Sequence, residues 1–157
     1  MRRDLGFCVV ASGSLDRGDR CGVLVEDDAG VQRRVGVISR EGRGWSAFRL
    51  GDIGRARSLR DAAALVVEAW RWRGTDLPRE RALFSVAHGR LFGDPIGDYP
   101  ASQHDSLARE TRAALDAPTL DEASEVFVGA GMERAGAKRL ARELRWMGGR
   151  DNGRSKS

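Results

Sequence analysis

The apolar pattern of this chain changes period once, near Ser58, and that change limits the folds open to it. Upstream the apolar runs are short: residues 7–11, 21–26, 33–40, 45–50 and 53–57. They are separated by turn-rich stretches such as Asp27-Asp28-Ala29-Gly30, Glu41-Gly42-Arg43-Gly44 and Gly51-Asp52, and so read as strands joined by tight turns. Downstream, Ser58-Leu59-Arg60-Asp61 has the order of a capping box, and Leu59, Ala63, Val66, Val67 and Trp70 repeat at helical spacing to about Arg73, before Gly74. Pro78 opens a second helical stretch to about His88, and Gly89 to Pro100 reads as a loop. Further helices are expected over Ser102 to Leu115, from Thr119 as N-cap, and over about Glu133 to Met147, with Gly148-Gly149 as the stop. The class is therefore α+β: a small antiparallel sheet packed on a helix, followed by a helical segment.

This pattern divides the 157 residues into a sheet-plus-helix domain (1–74), an acidic helical and loop connection (75–118), a helical hairpin (119–148) and a disordered basic tail (149–157). Charge is also unevenly spread along the chain. Residues 1–74 carry 14 basic and 10 acidic groups, 75–131 carry 5 and 10, and 132–157 carry 8 and 3. Two basic ends flank an acidic middle, an asymmetry that permits phosphate binding at the ends. Lys138 and Lys156 are the only lysines, and the Arg-rich, Ala-rich, Gly-rich composition matches the coding bias of a GC-rich genome.

The opening residues lack the apolar run of a signal peptide, and no segment approaches the ~18 apolar residues of a membrane helix. A cytoplasmic protein with Cys8 and Cys21 reduced is expected, with no membrane partner. Two isolated cysteines and two isolated histidines give no metal spacing, and no Gly-Lys-Ser/Thr loop follows a strand, so neither cofactor nor metal is implied. His88 and His104 have carboxylates nearby, such as Asp94 and Asp105, and Asp94, Asp98 and Asp105 could hold a divalent ion, but they have no recognised ligand spacing; an enzyme would use Asp94, Asp98 and His88. The expected role is thus non-enzymatic.

Two segments point to a partner. In the first, strand alternation puts Trp45, Ala47 and Arg49 on one sheet face and Ser46, Phe48 and Leu50 on the other. If the helix covers Phe48 and Leu50, Trp45, Arg49, Arg55 and Arg57 are left outward. Gly44-Trp45-Ser46-Ala47, Gly54 and Ser58-Leu59-Arg60-Asp61-Ala62 resemble the three-stranded DNA-binding domain of plant ethylene-response factors and the arm-binding domain of phage integrases. That resemblance implies that Trp45, Arg49, Arg55 and Arg57 read or clamp DNA through the sheet face.

In the second, Ala137, Leu140, Ala141 and Leu144 form an apolar stripe, with Lys138, Arg139, Arg142 and Arg145 outside it. Gly131 to Leu144 resembles the turn and second helix of bacterial helix-turn-helix proteins. Met132 takes the buried turn position. The resemblance implies that Arg134, Ala135, Lys138 and Arg139 face base edges and that Arg142 and Arg145 face phosphate. DNA is the expected partner, in a bacterial, phage or mobile-element regulatory setting. The alternative expectation is a protein-interaction module, such as a phage-encoded inhibitor or assembly adaptor, using the acidic middle with Trp72, Phe92 and Tyr99.

Overall fold

The computed structural model describes residues 7–11, 20–26, 28–93 and 101–149. The fold is α+β, and the chain divides into two compact units, residues 1–74 and 75–157.

In the first unit five strands form one sheet: β1 (Phe7–Ala11), β2 (Arg20–Glu26), β3 (Gln32–Glu41), β4 (Gly44–Phe48) and β5 (Asp52–Ala56). Their order in the sheet is their order in the chain, and every neighbouring pair is antiparallel. Glycines make the sharp reversals where positive φ is required, at Gly30 (φ +81°) and Gly42 (φ +56°).

One helix, α1 (Leu59–Arg71), covers the sheet. Ser58 caps it, its hydroxyl accepting from the Asp61 N–H at 3.1 Å, as the capping-box reading expects. Its own Ala62, Ala63, Leu65, Val66, Val67 and Ala69 are buried. Its seat on the sheet is set by residue size. Cys21 pairs with Ile38, Ile38 with Ala47, and Ala47 with Gly54. Ile38 and Ala47 have no exposed surface. Next to this row, a Cβ added to Gly36 would lie 2.4 Å from Val66 Cγ1 of α1.

This reverses the sheet-face assignment drawn from alternation. Trp45 and Ala47 do share a face, but it is the face that α1 covers; Phe48 is exposed at 36% and Leu50 at 97%. Small side chains at Ala47 and Gly54 let the helix approach, whereas Phe48 and Leu50 would hold it off. A register shift between Ala47 and Phe48 further breaks the strict two-residue period.

Leu50 sits at φ +54° ahead of Gly51 in the β4–β5 turn. A leucine there bears the roughly 1–2 kcal/mol cost of left-handed backbone. It buries almost nothing in return. Leu50→Asn is expected to stabilise the protein by about 0.5–1 kcal/mol, read as a rise in urea midpoint. An unchanged or lowered midpoint would mean that the side chain has a role in the fold.

The second unit contains α2 (Pro78–Phe92), α3 (Ala101–Asp116), α4 (Leu120–Gly129) and α5 (Arg134–Met147). The segments expected as a connection and a hairpin therefore fold together. Helix α2 begins with Pro78 as its first residue and runs past the expected end at His88 to Phe92. Gly93, at φ +76°, closes it by donating to the Gly89 carbonyl at 3.0 Å. Thr119 caps α4, its Oγ1 accepting from the Glu122 N–H at 3.1 Å. Leu83, Phe127, Leu140, Leu144 and Met147 are almost fully buried in this unit.

Two buried charges of this unit, Arg81 and Glu80, are matched. Arg81 donates to Asp105 at 2.7 Å and to the Asp76 carbonyl at 2.7 Å. The hydrogen bond from Arg81 holds the Asp105 carboxyl below the usual carboxylate range. Buried Glu80 accepts from Arg112 at 3.1 Å. No helix among the described residues is long and apolar enough to cross a membrane.

Candidate nucleic-acid interface

The turn between α4 and α5 is a Schellman cap. Gly131, at φ +105°, donates to the Val128 carbonyl at 3.0 Å, and Met132 N–H donates to the Phe127 carbonyl at 3.0 Å. Glycine is needed at this one position because the backbone is left-handed. The cap ends α4 and releases the chain at Glu133, from which α5 starts without a side-chain cap.

Helix α5 divides as its sequence period requires. Ala137, Leu140, Ala141 and Leu144 have no exposed surface. Arg134, Ala135, Lys138, Arg139 and Arg142 are exposed. At about 100° per residue these five occupy an arc of roughly 140°. Two of the cations have protein neighbours. Arg134 pairs with Glu125 of α4, and the Arg139 guanidinium lies 5.5 Å from the Phe92 ring centroid. Lys138 and Arg142 stand between Arg134 and Arg139 on this arc.

Arg145 does not belong to this face, which corrects its expected phosphate role. It is 3% exposed, and its Nη1 donates to the Ala117 carbonyl at 2.6 Å and the Ala114 carbonyl at 3.2 Å. These carbonyls lie at the end of α3, where helical acceptors lack partners within the helix. Arg145 therefore fastens α5 to the end of α3. The wheel position of Arg145, inside the arc between Arg134 and Lys138, does not distinguish a cation that meets solvent from one that meets a neighbouring helix end.

The four residues named on the sheet do not form one surface. Trp45 is half-buried on the α1 side, with the Arg40 guanidinium 5.8 Å from its ring centroid. Arg55 pairs in register with Ser46, on the opposite face. Arg57 is exposed just beyond β5. Arg49 lies after β4, and its Nη1 donates to the Val35 carbonyl at 3.0 Å. Desolvation by burial lowers the Arg49 pKa, with Arg73 adding to the effect. The expectation of a single outward face containing all four is thus replaced by a division across the sheet.

Of the aromatics named for a protein interface, Trp72 and Phe92 are half-buried, and Tyr99 lies outside the described residues. Asp94 and Asp98 lie there too, as does Cys8's side chain, while Cys21 is a buried free thiol. His88 is buried, its ring 5.3 Å from Phe84 and 5.0 Å from Phe92 between centroids. No group of three His, Cys, Asp or Glu side chains suited to a metal occurs among the described residues.

One feature of the second unit escaped sequence reasoning: a cavity of about 400 Å³ whose walls come from α2, α3, α4 and the α4–α5 turn. Its lining is dispersed along the chain. The only local signal was the i, i+3, i+7 spacing of Gln103, Ser106 and Glu110, which places them on one stripe of α3.

No known protein family, curated protein or solved structure matches the chain.

Proposed function

We propose that this is a non-enzymatic DNA-binding protein that meets the phosphate backbone and base edges with the exposed face of α5. The observation that carries this reading is the division of α5 itself. A fully buried apolar back fixes the helix, and Arg134, Lys138, Arg139 and Arg142 are exposed along one outer arc. A recognition helix requires this arrangement: long cationic side chains on a rigid, well-seated rod. Its uncapped N terminus adds donor N–H groups and the positive end of the helix dipole. Regulation or occupancy of DNA in a bacterial, phage or mobile-element setting fits a stoichiometric binder of this kind.

The test is fluorescence anisotropy on a random duplex at two salt concentrations. Binding is expected to weaken steeply with salt, by about one power of salt concentration for each phosphate neutralised. Charge reversal in Arg139→Glu is expected to weaken binding by about tenfold or more while leaving the unfolding midpoint nearly unchanged, because the residue is exposed. Undiminished affinity in a folded Arg139→Glu variant would sink the assignment.

A second reading, as a protein-interaction module, is favoured by the exposed carboxylates of α4. Asp121, Glu122 and Glu125 are all exposed on this helix. A protein partner retained at high salt and after nuclease treatment, with no duplex binding at low salt, would select that reading.

A further inference from the structure

The cavity in the helical unit has two chemically different walls. Helix α3 presents the polar stripe Gln103, Ser106 and Glu110, and Phe84, Phe127 and Met132 supply apolar surface. Its volume of about 400 Å³ falls in the range of small-molecule sites. Glu110 is half-buried and has no salt-bridge partner among the described residues. Burial pushes its carboxyl above the usual range, and its chain neighbour Arg109 only partly offsets this. A carboxylate held in such surroundings is stabilised by any cation brought against it. Met132, Phe84 and Phe127 line the cavity and accept an apolar body.

We propose that this cavity binds a small organic amine, its ammonium on Glu110 and its apolar body between Phe84, Phe127 and Met132. Gln103 and Ser106 supply further hydrogen-bonding groups on the Glu110 side. Such a ligand would rest on the residues of the Schellman cap, since Gly131 and Met132 line the cavity. The site belongs to the second unit alone and is independent of whether α5 meets a nucleic acid.

The experiment titrates the full isotope-labelled chain with phenethylamine and, separately, with its neutral counterpart 2-phenylethanol, following backbone amide shifts. Phenethylamine is expected to give saturable shifts at Gly131 and Met132, with an affinity about tenfold or more above that of the alcohol. Glu110→Gln, which keeps the shape of the side chain, should erase that preference. Ser106→Phe should fill the space and abolish binding of both probes. Should Ser106→Phe fail to fold, Ser106→Leu fills less and should weaken both probes together. Equal affinity for amine and alcohol, a preference that survives Glu110→Gln, or no saturable shift up to about 10 mM amine would overturn the proposal.

Discussion

Gly36→Ala is expected to destabilise the sheet-plus-helix unit by about 3 kcal/mol. The added methyl would sit 2.4 Å from Val66 Cγ1 and 2.5 Å from the Phe48 carbonyl oxygen. Neither neighbour can yield easily. Val66 has no exposed surface, and Phe48 is held in the β3–β4 ladder opposite Val37. A unit of this size has a total of roughly 4–11 kcal/mol at ordinary stability per residue, so one such contact takes a large share. Urea unfolding followed by tryptophan fluorescence measures the loss. Adding Val66→Ala should recover only part of it, because the carbonyl contact remains, and the double-mutant cycle would show the coupling directly. A Gly36→Ala shift below about 1 kcal/mol would mean that α1 does not lie against β3 as described.

Phe127→Ala is expected to be the most damaging single truncation in the helical unit, at about 3–5 kcal/mol. The ring is 1% exposed and lies 6.3 Å from Phe84 between centroids, in a tilted arrangement. Its backbone carbonyl accepts from both Ala130 and Met132, so the same residue anchors the α4–α5 turn. Because Phe127 also lines the cavity, its removal would enlarge an existing void. The remaining wall could not collapse to refill it, and void volume is what raises the cost of such substitutions. Amide hydrogen exchange across α4 and α5 should accelerate strongly in the variant, with thermal unfolding giving the magnitude. Protection close to wild type would show that the packing of Phe127 is not what holds the turn.

The elements were legible because the chemistry that defines them is local. Ser58 and Thr119 act as caps through groups three residues away, and glycines mark several of the positive-φ turns, at Gly30, Gly42 and Gly131. The apolar back of α5 could be read from its spacing because a helix repeats its faces every few residues. What stayed hidden depends on partners distant in sequence. Alternation groups Trp45 with Ala47 but does not say which face meets a helix; the size of Gly36, Ala47 and Gly54 decides that. Arg145 looks like any other basic residue until the carbonyls of Ala114 and Ala117 are placed beside it. The end of α2 at Phe92, rather than His88, follows from Gly89 being tolerated within a helix and Gly93 supplying the cap. The cavity is the extreme case, since its walls come from three helices and a turn.

The sheet's strand order has a kinetic consequence. Each strand pairs with the one made immediately before it, so no pairing has to wait for a distant part of the chain. Sequence separations between partners stay short, which lowers contact order and places this sheet among the faster-folding β arrangements. A nascent chain can add β2 to β1, then β3, β4 and β5 as each leaves the ribosome. The helix that closes the apolar face emerges directly after the last strand. Synthesis and assembly thus proceed in the same direction, and the assembling edge is exposed only until the next strand arrives.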